Sequence, residues 1–360
     1  MRKVWWSQIS AVIRLDLKKT FFARRGLWIY VLALLPVLLF VTFGIVTASQ
    51  DNLAAKVAQR SEKPLSYQDL LAIKQGMAKN EVQALLGKPA FMSHWNDGPS
   101  GSVHREHYQY SDGENMLYVE IADGEVQDVH VNRGRNISDV SIMFAGVFQF
   151  FFLRLAVFFG CLGVFMNLFR GEILDRSLHF YFLAPIRRET LMRGKFLAGL
   201  IATSLIFVTS LALQILALVG QMSPQVRDQY LFANHGLEHA GVYAGVTVLA
   251  CIGYGAFFLI AGMLFRNPLI PAAAILIWEG INPFLPNLLK QVSVIFYLKS
   301  LCPVDIPIPP GTPALLALLV SNADPISPVT ALLGVLIMSS LALYTASVQA
   351  RRMQIDYTIE

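Results

Sequence analysis

The sequence predicts an α-helical integral membrane protein with six transmembrane helices and a small α+β extracytoplasmic domain. Of its 360 residues, 55% are hydrophobic and only 15% are charged, which is more apolar side chain than one soluble core would bury. Several apolar stretches reach the roughly 20 residues that a helix needs to cross a bilayer. One long polar stretch, residues 50–141, follows the first of them. We therefore expect a lipid bilayer around most of the chain and a folded domain outside it.

The N-terminal residues 1–26 mix apolar and basic side chains at helical spacings, which is typical of an amphipathic helix in the cytoplasmic membrane interface. Trp5 and Trp6 favour that interpretation over the alternative of a basic tail. Seven Lys/Arg residues precede the first long apolar run, which has no small-residue cleavage site. We therefore expect this run to remain as a membrane anchor and not to be cleaved as a signal peptide.

Five apolar stretches are long enough to span a membrane. They are the first to fourth and the sixth predicted spans, at residues 27–49, 142–169, 196–218, 241–265 and 329–348. A shorter fifth span is predicted at 269–285, where Pro271, Glu279, Asn282 and Pro283 interrupt the apolar run. Such interruptions are typical of a helix that is broken beside a transport pathway.

Positive charge in the short loops predicts the orientation. Seven Lys/Arg residues lie before the first span, six lie in the loop 170–195 and two lie in the tail 349–360, all on one side if six spans alternate. The outer loop 219–240 holds only Arg227, and the outer segment 286–328 holds only Lys290 and Lys299. The basic side is the cytoplasm, so both termini are expected there. Because the basic residues flank apolar segments, the formal net charge of +5 indicates lipid headgroups as partners and no nucleic acid.

The segment 286–328 contains two apolar pieces, 294–298 and 315–320, that are too short to cross the membrane. A proline-rich stretch separates them. The segment is either a re-entrant hairpin that closes the outer mouth or an ordered external loop, and the sequence leaves both alternatives open.

The cytoplasmic loop 170–195 is densely charged and also keeps a helical apolar stripe, formed by Leu174, Leu178, Phe182 and Leu183. Pro185 breaks this helix, and a second helix begins near Glu189 and continues into the third span. The loop is therefore predicted to present a short amphipathic helix to the cytoplasm.

This loop resembles the intracellular loop of the ABC-2 type transporter permeases. The matching residues are Glu172, Arg176, Ser177, Leu178, Pro185, Ile186, Arg188, Gly194 and Lys195. The resemblance implies a coupling helix that docks on an ATPase subunit. It further implies that coupling is carried by Glu172, Asp175, Arg176, Leu178, Phe182, Pro185, Arg187 and Arg188. A generic basic loop on the cytoplasmic side is the alternative.

No G-x-x-x-x-G-K-[S/T] phosphate-binding motif occurs in the chain. We therefore expect no ATPase activity and no cofactor here, with ATP and Mg²⁺ bound by a separate subunit. With six spans, the resemblance implies a homodimer with two ATPase subunits in a bacterial inner membrane.

The polar stretch 50–141 is predicted to be helical from Leu53 to Leu86, with strands near 104–110, 116–122 and 125–131. Asp123-Gly124 is a strong two-residue hairpin turn between the last two strands. Gly76, Met77, Val82, Leu86, Gly87 and Pro89 resemble the SmpA/OmlA (BamE-like) fold of envelope lipoproteins. Ala78 departs from the usual helix-capping Ser/Thr, and no lipidated cysteine is present. The resemblance implies binding of periplasmic envelope proteins or lipid, and a purely structural cap is the alternative.

Two groups of residues could carry chemistry or transport. His235, Glu238 and His239 follow the H-x-x-E-H pattern of inverted zinc peptidases, but a third ligand is not apparent and no metal is expected. His104 and His107 are odd-spaced on a predicted strand, so they should face opposite sides. Arg154 and Glu279 lie near the middle of their spans, where a lone charge costs at least ~2.5 kcal/mol.

Arg154, Glu279 and Asn282 are therefore candidates for a translocation pathway. The alternative for Arg154 and Glu279 is a static ion pair that fixes packing. Of the three cysteines, Cys161 and Cys251 lie in apolar runs and Cys302 lies in a loop, so no disulfide framework is expected.

The function predicted from these patterns is that of the membrane permease of an ATP-driven exporter. The alternative is an envelope assembly or adaptor protein that acts through its external domain. A membrane metalloprotease is a minor alternative that depends on His235, Glu238 and His239. Lipid, peptide, polysaccharide, drug and metal all stay open as substrates.

Overall fold

The computed structural model describes residues 2–22, 26–97, 103–132, 137–174, 188–222, 224–265, 267, 269–307 and 326–352. The chain divides into two compact units. The first comprises Met1–Phe40 with Ser141–Glu360, and the second comprises Val41–Val140.

The first unit is helical. It begins with the N-terminal helix α1 (Arg2–Phe22). The first part of α2 (Leu27–Arg60), a helix of 34 residues, also belongs to it. The second unit adds α3 (Tyr67–Leu71) and α4 (Lys79–Leu86). The first unit continues with α5 (Ile137–Gly146), a π-helix (Val147–Val157), α6 (Phe158–Leu174), α7 (Arg188–Val219), α8 (Pro224–Asp228) and a second π-helix (Gln229–Ala233). It ends with α9 (Gly236–Leu264), α10 (Leu269–Ile281), a 3₁₀ turn (Asn282–Phe284), α11 (Asn287–Lys290), α12 (Val294–Ser300) and α13 (Pro328–Arg352).

Five helical stretches in the described part of the chain are long and apolar enough to cross a membrane. They are Leu27–Arg60, Ile137–Leu168, Arg188–Val219, Gly236–Leu264 and Pro328–Arg351. These coincide with the five long predicted spans, which are thereby confirmed as helices and are compatible with a multi-pass membrane protein.

The fifth predicted span has a different form. Helix α10 has 13 residues, which at ~1.5 Å per residue extend only about 20 Å, less than the ~30 Å of a hydrocarbon core. The 3₁₀ turn that follows it contains Pro283, and the chain leaves helical geometry before Pro286. The structure therefore contains the predicted break, while a sixth crossing stays a prediction.

The segment after this break is partly described. The apolar piece predicted at 294–298 is a buried helix, α12, which packs against α9 and α13. The second piece, 315–320, lies outside the described residues. Whether the segment is re-entrant or external therefore stays open.

Helix α9 lies at the centre of the first unit and packs against α6, α7 and α13. Its glycines permit close approach, because a Cβ added at Gly255 would lie 2.5 Å from the Phe165 ring. At Gly262 an added Cβ would lie 2.9 Å from the Cα of Met166. Small residues let helix backbones approach closely in membranes, where apolar burial drives association only weakly. Helices α6 and α9 are therefore in near backbone contact.

The second unit is a small α+β domain. Its four strands are β1 (Phe91–Asp97), β2 (Val103–Ser111), β3 (Met116–Ala122) and β4 (Glu125–Asn132), which form an antiparallel sheet in the order β1-β2-β3-β4. The core is formed by side chains of α3, α4 and the sheet, among them Leu70, Val82, Leu86, Tyr108 and Val119. The three predicted strands are confirmed, and β1 was not predicted.

Turn residues of this domain behave as their chemistry requires. Asp123 and Gly124, between β3 and β4, have φ of 52° and 89°, as a primed hairpin turn demands. Gly76 lies between α3 and α4, and Gly87 follows the last residue of α4. Their φ values of 87° and 81° are ones that glycine adopts without steric cost. Ala78 has no side chain to cap α4, and instead its backbone N–H donates to the Glu81 carboxylate at 3.2 Å. The helix start is therefore fixed by Glu81. The predicted helical half is broken into the end of α2, α3 and α4.

Candidate functional site

Six of the eight residues predicted to carry coupling lie outside the described part of the chain. They are Asp175, Arg176, Leu178, Phe182, Pro185 and Arg187. Glu172 lies in the last turn of α6, and Arg188 is the first residue of α7. The structure instead describes the two ends of the loop and what they contact.

A buried ion pair joins the second end of the loop to the N-terminal helix. The Lys195 ammonium lies 3.4 Å from the Asp16 carboxylate and donates a hydrogen bond of 3.0 Å to the backbone carbonyl of Leu168. Lys195 and Asp16 are 0% and 1% exposed. A buried ion is tolerated only when its charge and its hydrogen-bonding groups have partners. Lys195 therefore connects α7 to both α1 and α6.

Gly194 explains how α1 comes so close to α7. A Cβ added at Gly194 would lie 2.9 Å from Cγ1 of Val12. Ile9 and Val12 are buried, and with Asp16 they lie on one face of α1, at the i, i+3 and i+7 positions. The predicted N-terminal helix is thus confirmed as a helix, and its location in the membrane interface stays a prediction. We call Asp16, Leu168, Gly194 and Lys195 the loop base.

The C-terminal helix also reaches the start of α7. The Arg351 guanidinium lies 2.6 Å from the Glu189 carboxylate, and Arg188 donates to the backbone carbonyl of Arg351 at 3.1 Å. The side chains of Arg351 and Glu189 are 63% and 36% exposed. An exposed pair of this kind contributes about 0–1 kcal/mol. It orients α13 more than it stabilises the fold.

Glu279 is a buried cap for a neighbouring helix. Its carboxylate accepts hydrogen bonds from the Ser293 hydroxyl at 2.8 Å and from the backbone N–H groups of Val294 and Ile295 at 3.0 and 2.9 Å. These amides are at the N-terminus of α12, where backbone donors lack helical partners and the helix dipole favours negative charge. Nearby, the Asn282 amide donates to the backbone carbonyl of Lys290 at 3.0 Å. Both candidate residues therefore hold the turn between α10 and α12.

Within one chain, Arg154 forms no ion pair with Glu279, and a pair across a dimer stays a prediction. The Glu279 carboxylate is bound instead by the Ser293 hydroxyl and by backbone N–H groups of α12. The Arg154 guanidinium instead lies over the Phe150 ring, 5.7 Å from its centroid. Its Nε is buried and has no hydrogen-bond partner among the described residues.

A second cation, Lys299 of α12, lies over the same ring. Its ammonium is 5.2 Å from the centroid of Phe150. Burial, and after it the nearby charge of Arg154, lowers the pKa of Lys299 to about 8. Sequence reasoning counted Lys299 only as an outer-loop charge. Its position after the apolar run 294–298 was the one signal that could have drawn attention to it.

The residues of the H-x-x-E-H pattern lie at the start of α9. His235 Nδ1 is 3.0 Å from the Glu238 carboxylate, with both side chains 71% exposed, and His235 precedes α9 in a left-handed conformation. His239 lies within α9. In the part of the chain that the structure describes, no group of three His, Cys, Asp or Glu side chains could hold a metal ion. On β2, His107 stacks on Tyr118, and His104 Nε2 lies 3.7 Å from Glu106.

The cysteines are free, with Cys161 and Cys251 buried and Cys302 half-buried.

In the second unit, Glu106 accepts hydrogen bonds from Lys79 at 2.7 Å and from the Tyr108 hydroxyl at 2.5 Å. Burial alone would raise the pKa of Glu106, but the bonds from Lys79 and Tyr108 outweigh it and lower this pKa. The hydrogen bond to Glu106 is the main reason that the pKa of Lys79 is raised.

Comparison with known protein families, with curated proteins and with solved structures found no match for this chain.

Proposed function

We propose that this chain is the membrane permease subunit of an ATP-driven exporter, which works as a homodimer with two ATPase subunits docked on the loop 170–195. The observation that carries the proposal is the loop base. A docked ATPase can drive transport only if movement of the loop reaches the membrane helices. Lys195 lies in the first part of α7, a candidate span that follows the loop, and its side chain also holds α1 and α6.

The strength of this junction supports transmission of movement. Removing one partner of a buried ion pair costs about 3–5 kcal/mol, so α1, α6 and α7 resist separation at this point. Movement of the second half of the loop would therefore displace three helices together. Two further features support the proposal: the resemblance of the loop to ABC-2 type permeases, and the break after α10, which lies beside the buried Glu279.

The proposal is tested by isolating the chain with its native partners. We expect a tagged chain, purified from its own membranes in mild detergent, to bring with it a subunit that hydrolyses ATP. The variants Glu172→Lys and Arg176→Glu should release that subunit. Lys88→Glu is the matched control, because the Lys88 side chain is 80% exposed and lies in the second unit. ATP hydrolysis by the chain alone, or retention of the ATPase by both loop variants, would contradict the proposal.

An adaptor function is the second candidate, and one observation favours it. The outer strand β1 exposes two large apolar side chains, Met92 (58%) and Trp95 (42%). Among the described strands β1 pairs only with β2, so its other side is an edge of the described sheet. If the domain recruits envelope proteins there, Trp95→Ser should abolish co-purification of a periplasmic partner and leave ATPase binding intact. If neither is affected, the adaptor function fails.

A further inference from the structure

The sheet of the second unit has two different faces. Residues that pair across neighbouring strands point to the same side of a sheet. Tyr108 and Val119 are paired, and both belong to the core that α3 and α4 cover. The opposite side carries a group that we call the open face, which consists of Trp95, Arg105, His107, Glu120 and Asp128.

The open face is accessible to a ligand. The end of α2 packs on the same side of the sheet, beside Phe91 and Tyr118. Away from this contact, Trp95 is 42% exposed, and the side chains of Arg105 and Glu120 are 34% and 30% exposed. Three strand spacings of ~4.8 Å make the face about 14 Å wide. It is therefore large enough for a ligand of several linked rings.

The polar side chains of the open face are held in place before any ligand binds. The Arg105 guanidinium forms an ion pair with the Glu120 carboxylate across β2 and β3. The His107 ring stacks on Tyr118, with 5.6 Å between the ring centroids and 12° between the ring planes. Side chains that are already ordered lose little conformational entropy on binding. The open face is therefore a preorganised set of hydrogen-bonding groups.

Strand β4 contains a bulge beside this face. The register shifts at Glu120, so that Gln127 has no partner on β3 and Asp128 lies directly opposite Glu120. Asp128 is exposed, and its carboxylate accepts a hydrogen bond from the backbone N–H of Val129 at 2.9 Å. Like charges directly opposite each other destabilise a sheet, whereas bulges often redirect side chains beside functional sites. A ligand that donates hydrogen bonds to both carboxylates would offset this cost.

We propose that the open face binds a neutral, β-linked glycan chain, with one sugar ring stacked on Trp95 and with hydroxyl groups bound by the polar side chains. The inference goes beyond the exporter function and does not rest on it. A sugar ring has apolar C–H faces and a rim of hydroxyl groups. It therefore fits an exposed indole, which is itself apolar on its face, next to fixed donors and acceptors.

The charges of the open face select a neutral ligand. Arg105 is offset by Glu120, and Asp128 adds a further negative charge, so the face does not attract an anion such as a nucleic acid or a phospholipid headgroup. Carboxylates only accept hydrogen bonds, and hydroxyl groups donate to them without bringing a charge. The face is shallow and extended, which favours β-1,4-linked sugars, because these form flat ribbons, over α-1,4-linked sugars, which coil.

Titration of defined oligosaccharides into the purified full-length chain tests the proposal. The probes are cellohexaose and chitohexaose, which are β-1,4-linked, and maltohexaose, which is α-1,4-linked, in a detergent without a sugar headgroup. We expect calorimetry to detect binding of a β-linked probe. Trp95→Ser should weaken it about tenfold or more, equivalent to ~1.4 kcal/mol. Met92→Ser is the matched control and should bind normally, because Met92 is also exposed on β1 (58%) but pairs with Tyr108 and points to the other side.

A second pair of variants separates binding from folding. Asp128→Asn removes the charge opposite Glu120, so the second unit should be as stable as in the parent chain, or more stable, while the glycan binds more weakly. Trp95→Phe keeps an aromatic ring and should retain more affinity than Trp95→Ser. A loss of thermal stability in Asp128→Asn would make Asp128 structural and would overturn its assignment to the site.

The other outcomes also decide the question. Failure of both β-linked probes to bind, or an equal loss of affinity in Met92→Ser and Trp95→Ser, would refute the site. Binding of maltohexaose as strong as that of the β-linked probes would refute the selection of a flat chain. Since no ATPase is present in this assay, its result is independent of whether the exporter function holds.

Discussion

The buried pair Asp16–Lys195 should show strong energetic coupling. At 3.4 Å and an effective dielectric constant of about 20, two unit charges attract by about 5 kcal/mol, part of which offsets their lost hydration. Because the side chains are 0% and 2% exposed, solvent screens this attraction very little. Lys195→Met should therefore lower the free energy of unfolding by about 3–5 kcal/mol, since it removes the ammonium and leaves the Asp16 charge in the interior.

The double variant Asp16→Leu/Lys195→Met tests whether the two charges are energetically coupled. It removes both charges and keeps apolar side chains in their place, a replacement that is often neutral or stabilising. We expect it to recover most of the stability lost by Lys195→Met, with a coupling energy of about 2–3 kcal/mol in a double-mutant cycle. Reversible unfolding in mixed detergent micelles gives the four free energies. Arg351→Met is the control, because its exposed partnership with Glu189 should cost no more than about 1 kcal/mol. Additive losses from Asp16→Leu and Lys195→Met would refute the reasoning.

Three further predictions concern other parts of the molecule. Gly194→Leu should lower thermal stability by the ~1–3 kcal/mol typical of overpacking, because its side chain would collide with Val12; an unchanged melting temperature would place α1 elsewhere. In residues 41–140, the pKa of Glu106 is lowered from its ordinary value of 4.5, so the ionised carboxylate contributes stability above pH 4.5. This stability is lost as the pH falls through the pKa of the folded state. Glu106→Gln should therefore weaken the dependence of the free energy of unfolding on acid pH, measured by urea titration. The pKa of Lys79 is raised in the folded state, so Lys79 contributes stability that is fully present below pH 10.5 and is lost as the pH rises through its folded-state pKa. In a cysteine-free background, a membrane-impermeant thiol reagent should label a Cys at Asn96 and spare one at His179 in intact cells, and the reverse pattern would invert the topology.

The long spans and the last three strands could be predicted because each is encoded locally. Twenty apolar residues in succession have few outcomes besides a membrane helix, and Asp123-Gly124 specifies its hairpin without reference to the rest of the chain. Strand β1 was missed because its polar residues, such as Ser93 and His94, face solvent at the sheet edge and leave no apolar alternation to detect.

The polar contacts depended on distant parts of the chain, so the sequence could identify residues but not their partners. Glu279 was singled out as a buried charge, yet its partners are backbone amides of α12, which no side-chain pattern reveals. Asp16 received no attention, since one carboxylate within a basic helix is indistinguishable from a surface residue. Only the packing of Ile9 and Val12 on α7 brings it to Lys195. The π-helix also has no sequence signature that distinguishes it from an α-helix.

The glycine contacts between α6 and α9 limit how this protein can move. With Gly255 against the Phe165 ring and Gly262 against the backbone of Met166, neither helix can slide along the other without lifting off it. Close-packed interfaces of this kind shift between discrete arrangements and do not deform continuously. Helices α6 and α9 should therefore travel as one rigid body. Spectroscopic distance labels placed one on each helix would then report no change between the resting and working states, and the informative labels are those that pair either helix with α2 or α13.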